Sequence, residues 1–190
     1  ANPDAGLLAF RQVSDALGST SWYLRALRDE GTMAYRLARV LTQSRYVVEL
    51  LLRSPQAVQL LADEADLLPR STEQLIEAMT RAAARQDSAE AKMDSVRGLR
   101  RRELFRVAVG DILDLLDVEQ VGAALSDLAS ATLHVGMGIV ADEQRAQLDD
   151  PDQVPAGAFI AMGRWGGREM SYGSDADVMF VMADGTGEAG

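Results

Sequence analysis

The chain of 190 residues contains no cysteine, which excludes disulfides and thiolate metal centres. It contains one histidine, His134, so neither a multi-histidine metal site nor a set of imidazole bases is available. Lys92 is the only lysine and all other basic side chains are arginines, a compositional bias with no chemistry attached. The net charge of −10 disfavours broad nucleic-acid binding, because neutralising phosphates needs clustered Lys and Arg. No apolar run approaches the length of a membrane span. The opening ANPDAGLLAF lacks the basic region and long apolar core of a signal peptide. These absences predict a cytoplasmic protein with neither nucleic acid nor membrane as partner. The first residue is not Met and the last eight read ADGTGEAG, so a piece of a longer protein is expected.

What is present is a globular composition, 47% hydrophobic and 25% charged, sufficient for a sizeable core. The first three quarters read as successive helices. Asn2 and Pro3 open one that Gly18 closes. Others are predicted from about Ser21 to Glu30, Thr32 to Gln43 and Arg45 to Arg53, the third carrying Met33, Leu37, Val40 and Leu41 at helical spacing. Ser54-Pro55 is a cap and first-turn signal for a helix to about Ala62. Asp63 to Arg70 reads as a polar loop. Ser71 to Gln74 forms an S-x-x-Q capping box opening a helix to about Arg85. After a flexible-looking connection, Gln86 to Lys92, two long helices are predicted, Asp94 to Leu116 and Val118 to Gln147. The expected domain at 1–147 is therefore a bundle of about eight helices.

Composition shifts at Leu148. DDPDQVPAGA predicts a linker over 148–156, and at 157–190 the period changes. AFIAM and DVMFVM are short apolar runs around GRWGGREMSYGSDAD, the pattern of strand, turn, strand. The fold expected is mainly α, a helical bundle followed by the opening of an α/β domain.

The turn carries the chemistry. On a strand, Asp175 and Asp177 would point to one face, where paired carboxylates can hold hard divalent ions. Gly163, Gly166 and Gly167 allow close backbone approach and positive φ. Backbone N–H groups there, with the Ser174 hydroxyl, can hold phosphate oxygens, and Arg164 and Arg168 can add charge. Metal-binding carboxylates beside a phosphate cradle suit Mg²⁺-nucleotide chemistry. Each half alone has a plainer reading, a solvated loop and an ordinary turn; their combination with two flanking strands is much rarer. The Walker pattern is absent, and a strand instead of a long helix follows the glycines, unlike a dinucleotide fingerprint.

This stretch resembles the signature of the DNA polymerase beta-type nucleotidyltransferase superfamily, with Met162-Gly163 at its start and Asp175 and Asp177 at its end. Arg164 stands where the superfamily at large has Gly or Ser. The form G-[KR]-x-G-G-R-E-x-x-x-x-S-D-x-D is similar to one family in particular, the glutamine synthetase adenylyltransferases. NPDAGLLAFRQVSDALG, WYLRALRDEG, RLARVLTQSRYVVELLLRSP and RRRELFRVAVGDILDLLDV resemble the helices that precede the second catalytic head in actinobacterial members. The resemblance implies that residues from 157 begin a nucleotidyltransferase domain and that ATP is the substrate. It implies Mg²⁺ on Asp175 and Asp177 as catalytic and metal residues, and a nucleotide at Gly163, Arg164, Gly166, Gly167 and Ser174. It implies transfer of AMP to a tyrosine of glutamine synthetase, with a nitrogen-signalling regulatory protein as a further partner. A third carboxylate would lie on a later strand, so this stretch alone is expected to be inactive. The phosphorolytic, deadenylylating head shares the motif and is the alternative; a non-catalytic helical docking module is the rival class.

Other features have plainer readings. Arg97, Arg100, Arg101, Arg102 and Arg106 read as a solvated helix face with local pairing. His134 reads as partly buried and structural. Trp165 has two readings, packing the turn onto the helices or lying near a nucleotide, and packing is the one favoured.

Overall fold

The computed structural model describes residues 3–18, 20–29, 31–148 and 157–182. They form a mainly α protein: α1 (Pro3–Leu17), α2 (Ser21–Asp29), α3 (Gly31–Gln43), α4 (Arg45–Arg53), α5 (Thr72–Ala83), α6 (Ala89–Ile112), α7 (Val118–Gln147), a single-turn α8 (Gly163–Gly166), and strands β1 (Gly157–Ala161) and β2 (Val178–Met182). The segments Pro55–Leu61 and Ala65–Leu67 are 3-10 helices. The cap expected at Asn2, the helix end at Glu30, the linker at 149–156 and the tail after Met182 lie outside the described residues.

The chain divides into two compact units, Ala1–Pro69 with Arg100–Val121, and Arg70–Leu99 with Gly122–Gly190. In the first, Val13 and Leu17 of α1, Met33, Leu37 and Val40 of α3, Val47 and Leu51 of α4, Leu61, Leu67 and Phe105 are buried. Helix α4 starts where Ser44 accepts the Val47 N–H. Ser54 makes no such bond and Pro55 opens a 3-10 helix, not the α-helix expected there. The predicted polar loop after it contains a turn that buries Leu67. Arg36 bonds the Leu61 carbonyl at 2.9 Å and Glu64 at 3.1 Å, fixing these turns to α3.

The arginine run is only partly a solvated face. Glu103 and Arg106, one helical turn apart on α6, form a buried ion pair at 2.7 Å, and Arg106 Nη1 also donates to the Asp66 carbonyl. The helix stops at Ile112, short of the expected Leu116, and Asp114 beyond it takes a left-handed φ of 60°. Arg39 holds the Asp114 carboxylate at 2.6 Å. Asp117 and Gln120 then exchange side-chain bonds with each other's backbone N–H, a reciprocal cap that starts α7 at Val118.

In the second unit, the Ser71–Gln74 capping box forms as the sequence predicts. Leu75, Met79 and Ala83 of α5, Val96 of α6 and Leu125, Leu128, Ala131, Val135 and Ile139 of α7 are buried. Helix α6 starts at Ala89, earlier than expected, with Ser88 Oγ accepting the Ala91 N–H. His134 is exposed, not partly buried; it lies beside the stripe of Ala131, Val135 and Ile139 and lines a cavity of about 270 Å³ with Lys92, Thr80 and Asp142. Contrary to the expectation from the sequence, α7 is long and apolar enough by composition to cross a membrane, with a window of mean hydropathy 1.3. Its Val and Ala residues raise the hydropathy without any leucine-rich run, and 44% of that window is buried.

Strands β1 and β2 pair antiparallel, Gly157 opposite Met182 and Ala161 opposite Val178. Phe159 and Phe180 face each other with ring centroids 5.0 Å apart. All five residues of β2 are exposed although all are apolar. A two-stranded sheet gives each strand a single neighbour, and the β2 residues stay 41–53% exposed. What leans on α7 is the connection between the strands.

Candidate functional site

The site is that connection, residues 162 to 177. At its start Met162 N–H donates to the Asp177 carbonyl at 2.9 Å, one rung beyond the β1–β2 ladder. Asp177 is thereby pinned to the end of β1 although β2 begins at Val178. Asp175 lies two residues upstream in irregular chain, and both carboxylates are exposed.

Gly163 then turns the chain with φ of 54°. A Cβ at Gly163 would lie 3.3 Å from Asp177 Oδ2, so the glycine brings carboxylate and turn together. Gly166 serves a different purpose: a Cβ there would stand 2.6 Å from the Ala161 carbonyl oxygen, which only glycine tolerates. Gly167 shows neither constraint, and the second left-handed residue of the turn is Arg168, with φ of 60°.

The backbone donors divide. The N–H groups of Gly166, Gly167, Arg168 and Glu169 bond to the carbonyls of Met162, Gly163, Trp165 and Arg164. Among the described residues, those of Gly163, Arg164 and Trp165 take no part in these bonds. Ser174 closes its own turn: its Oγ accepts the Ser171 N–H at 2.8 Å and lies 2.9 Å from Ser171 Oγ.

Trp165 packs as expected. It is 6% exposed, and its indole N–H donates to the Ser126 carbonyl at 3.2 Å and to Ser130 Oγ at 3.0 Å. Arg168, expected to add charge for a ligand, instead grips both oxygens of Asp127 at 2.6 and 3.0 Å. Those bonds and the carboxylate charge raise the guanidinium pKa further above its ordinary value. Arg164 is exposed, and among the described residues its side chain makes no such grip. The sequence reading missed Gly122, Ser126 and Ser130 of α7. Their signal was present: small residues four apart on an otherwise apolar helix.

A metal fits this donor set in part. Mg²⁺ takes one or two carboxylates together with substrate phosphates and water, and two exposed carboxylates beside free amide donors match that demand. Among the described residues no group of three or more Asp, Glu, His or Cys converges.

Comparison with known proteins points the same way. Residues 34–190 match the family described as Glutamate-ammonia ligase adenylyltransferase. The chain is 50% identical over 98% of its length to a bifunctional glutamine synthetase adenylyltransferase/adenylyl-removing enzyme of Cutibacterium acnes. It is 48% identical over 95% of its length to the protein so named in Streptomyces coelicolor, and 43% identical over 98% to that of Mycobacterium tuberculosis. It spans 18% of the first relative and 19% of the other two.

Proposed function

Because this chain belongs to the glutamate-ammonia ligase adenylyltransferase family, we propose that it supplies the start of a catalytic head that transfers AMP from ATP to a tyrosine hydroxyl of glutamine synthetase. The observation that carries the proposal is the placement of Asp177 against Gly163, which sets a carboxylate of the kind Mg²⁺ takes beside the N–H groups of Gly163, Arg164 and Trp165 that the turn's backbone bonds leave over.

In this reading the ATP phosphates lie over those amides, with Arg164 balancing their charge. Asp175 and Asp177 hold Mg²⁺, which supplies polarisation of the α-phosphate and neutralisation of the leaving pyrophosphate. Gly166 gives the turn its shape, and Ser174 holds the segment leading to the carboxylates. The tyrosine oxygen forms a bond to the α-phosphorus while the bond to the β-phosphate bridging oxygen breaks, and pyrophosphate departs. A further carboxylate in the complete protein takes the tyrosine proton. A cytoplasmic setting and control by a nitrogen-signalling protein complete the proposal. The helices that precede the turn favour the adenylylating head.

The test is the fate of label. Incubated with glutamine synthetase and Mg²⁺, the full-length protein should transfer label from [α-³²P]ATP and none from [γ-³²P]ATP. Transfer from the γ-position, or to no protein at all, contradicts the proposal.

A further inference from the structure

We propose that helix α7 is the seat of the nucleotide-binding turn, with Asp127 and Ser130 as positioning residues that fix its free amide donors; this rests on the reading of residues 163–177 as a nucleotide site. Three observations converge. Arg168 holds a left-handed φ of 60°, a conformation that a residue with a Cβ adopts at a cost and keeps where its surroundings impose it. What imposes it is on α7. Asp127 takes the guanidinium in a two-point grip, and the Asp127 side chain is 16% exposed against 59% for Arg168. The carboxylate is thus the fixed member and the arginine reaches to it.

The backbone lies equally close. A Cβ at Gly122 would stand 3.2 Å from both the Arg168 carbonyl oxygen and the Glu169 Cα, so the turn rests against α7 where α7 has no side chain. One helical turn on, Ser126 and Ser130 receive the Trp165 indole N–H. The turn is therefore clamped at Trp165 and at Arg168, and the donors Gly163, Arg164 and Trp165 lead directly into the first clamp. Their direction, and through Gly163 the approach of Asp177, depends on α7. The grip also accounts for which arginine is left to meet phosphate, since Arg168 is held and Arg164 is not.

In the full-length protein, Asp127→Asn should raise KM for ATP about tenfold, the scale of losing a supporting residue behind a binding group, with kcat little changed. Arg168→Asn, which tolerates the left-handed backbone but cannot make the grip, should do the same. The charge swap Asp127→Arg with Arg168→Asp should restore most of the loss, which a general weakening of the fold would not. Asp142→Asn, at the far end of the same helix, should leave KM unchanged. In the present chain, Ser130→Ala and Asp127→Asn should speed hydrogen exchange of the Trp165 indole N–H, read by NMR. Unchanged KM together with unchanged exchange in the Asp127 and Ser130 variants overturns the seat. If Asp175→Asn and Asp177→Asn keep full activity, the nucleotide reading fails instead, and the indole exchange still decides whether α7 holds the turn.

Discussion

The Asp177 carboxylate lies over the Cα of Gly163, so that a methyl group built there would come within 3.3 Å of Oδ2, on a residue with φ of 54°. Two penalties therefore meet at one position. Gly163→Ala should lose about 1–2 kcal/mol from the left-handed backbone alone, and the added methyl presses on the carboxylate. Since the turn is exposed, the expected result is a weakened ATP interaction with an unchanged helical melt, followed by ATP titration and thermal circular dichroism. A variant with wild-type ATP affinity would show that the contact has no part in binding.

The buried pair of Glu103 and Arg106 gives a prediction about stability. Removing one member breaks a buried, hydrogen-bonded ion pair, so Arg106→Met should cost on the order of 3 kcal/mol. The double variant Glu103→Leu with Arg106→Met should recover much of that, less the bond that Arg106 gives to the Asp66 carbonyl. Denaturant melts of the three variants measure the difference. Equal stability of the wild type and Arg106→Met would mean that the pair is not buried in solution.

A pH dependence follows at the start of α5. Ser71 donates its hydroxyl hydrogen to Glu73 at 2.8 Å while its oxygen accepts the Gln74 N–H. The Ser71 bond, with Glu73's own backbone N–H, lowers the Glu73 pKa below the ordinary glutamate value. A lowered folded pKa contributes stability above the unfolded pKa and loses it as pH falls through the folded one. Glu73→Gln should accordingly lower stability at neutral pH, flatten the acid limb of the profile below about pH 4.5, and match the wild type at the acid end. Thermal melts across that range test it; an unchanged acid limb would count against the bond.

Much of this architecture is legible in the residues. Helix α7 runs over the predicted Val118–Gln147 and α4 over Arg45–Arg53, because both carry sustained helical periodicity between capping residues. The strand pair and the turn between it are legible because helical periodicity gives way to short continuous apolar runs around a glycine-rich stretch. What the sequence hides is pairing at a distance. Arg168 reads as a free cation until Asp127, forty-one positions earlier, is placed beside it. The arginine run reads as a solvated face because periodicity cannot show that Glu103 and Arg106 bury each other. The exposure of β2 is hidden too: apolar residues on both faces predict cover, and composition does not say which element provides it.

Asp175 and Asp177 are proposed to serve AMP addition in the complete enzyme. The most direct measurement is the activity of the full-length protein bearing Asp175→Asn or Asp177→Asn, assayed with Mg²⁺ in both directions on glutamine synthetase. The account predicts that AMP addition falls by at least about 100-fold, as expected for a lost metal ligand, while phosphorolytic removal of AMP from modified glutamine synthetase persists. Near-normal addition in either variant would contradict the role of that carboxylate, and loss of removal with addition intact would assign these residues to the opposite head.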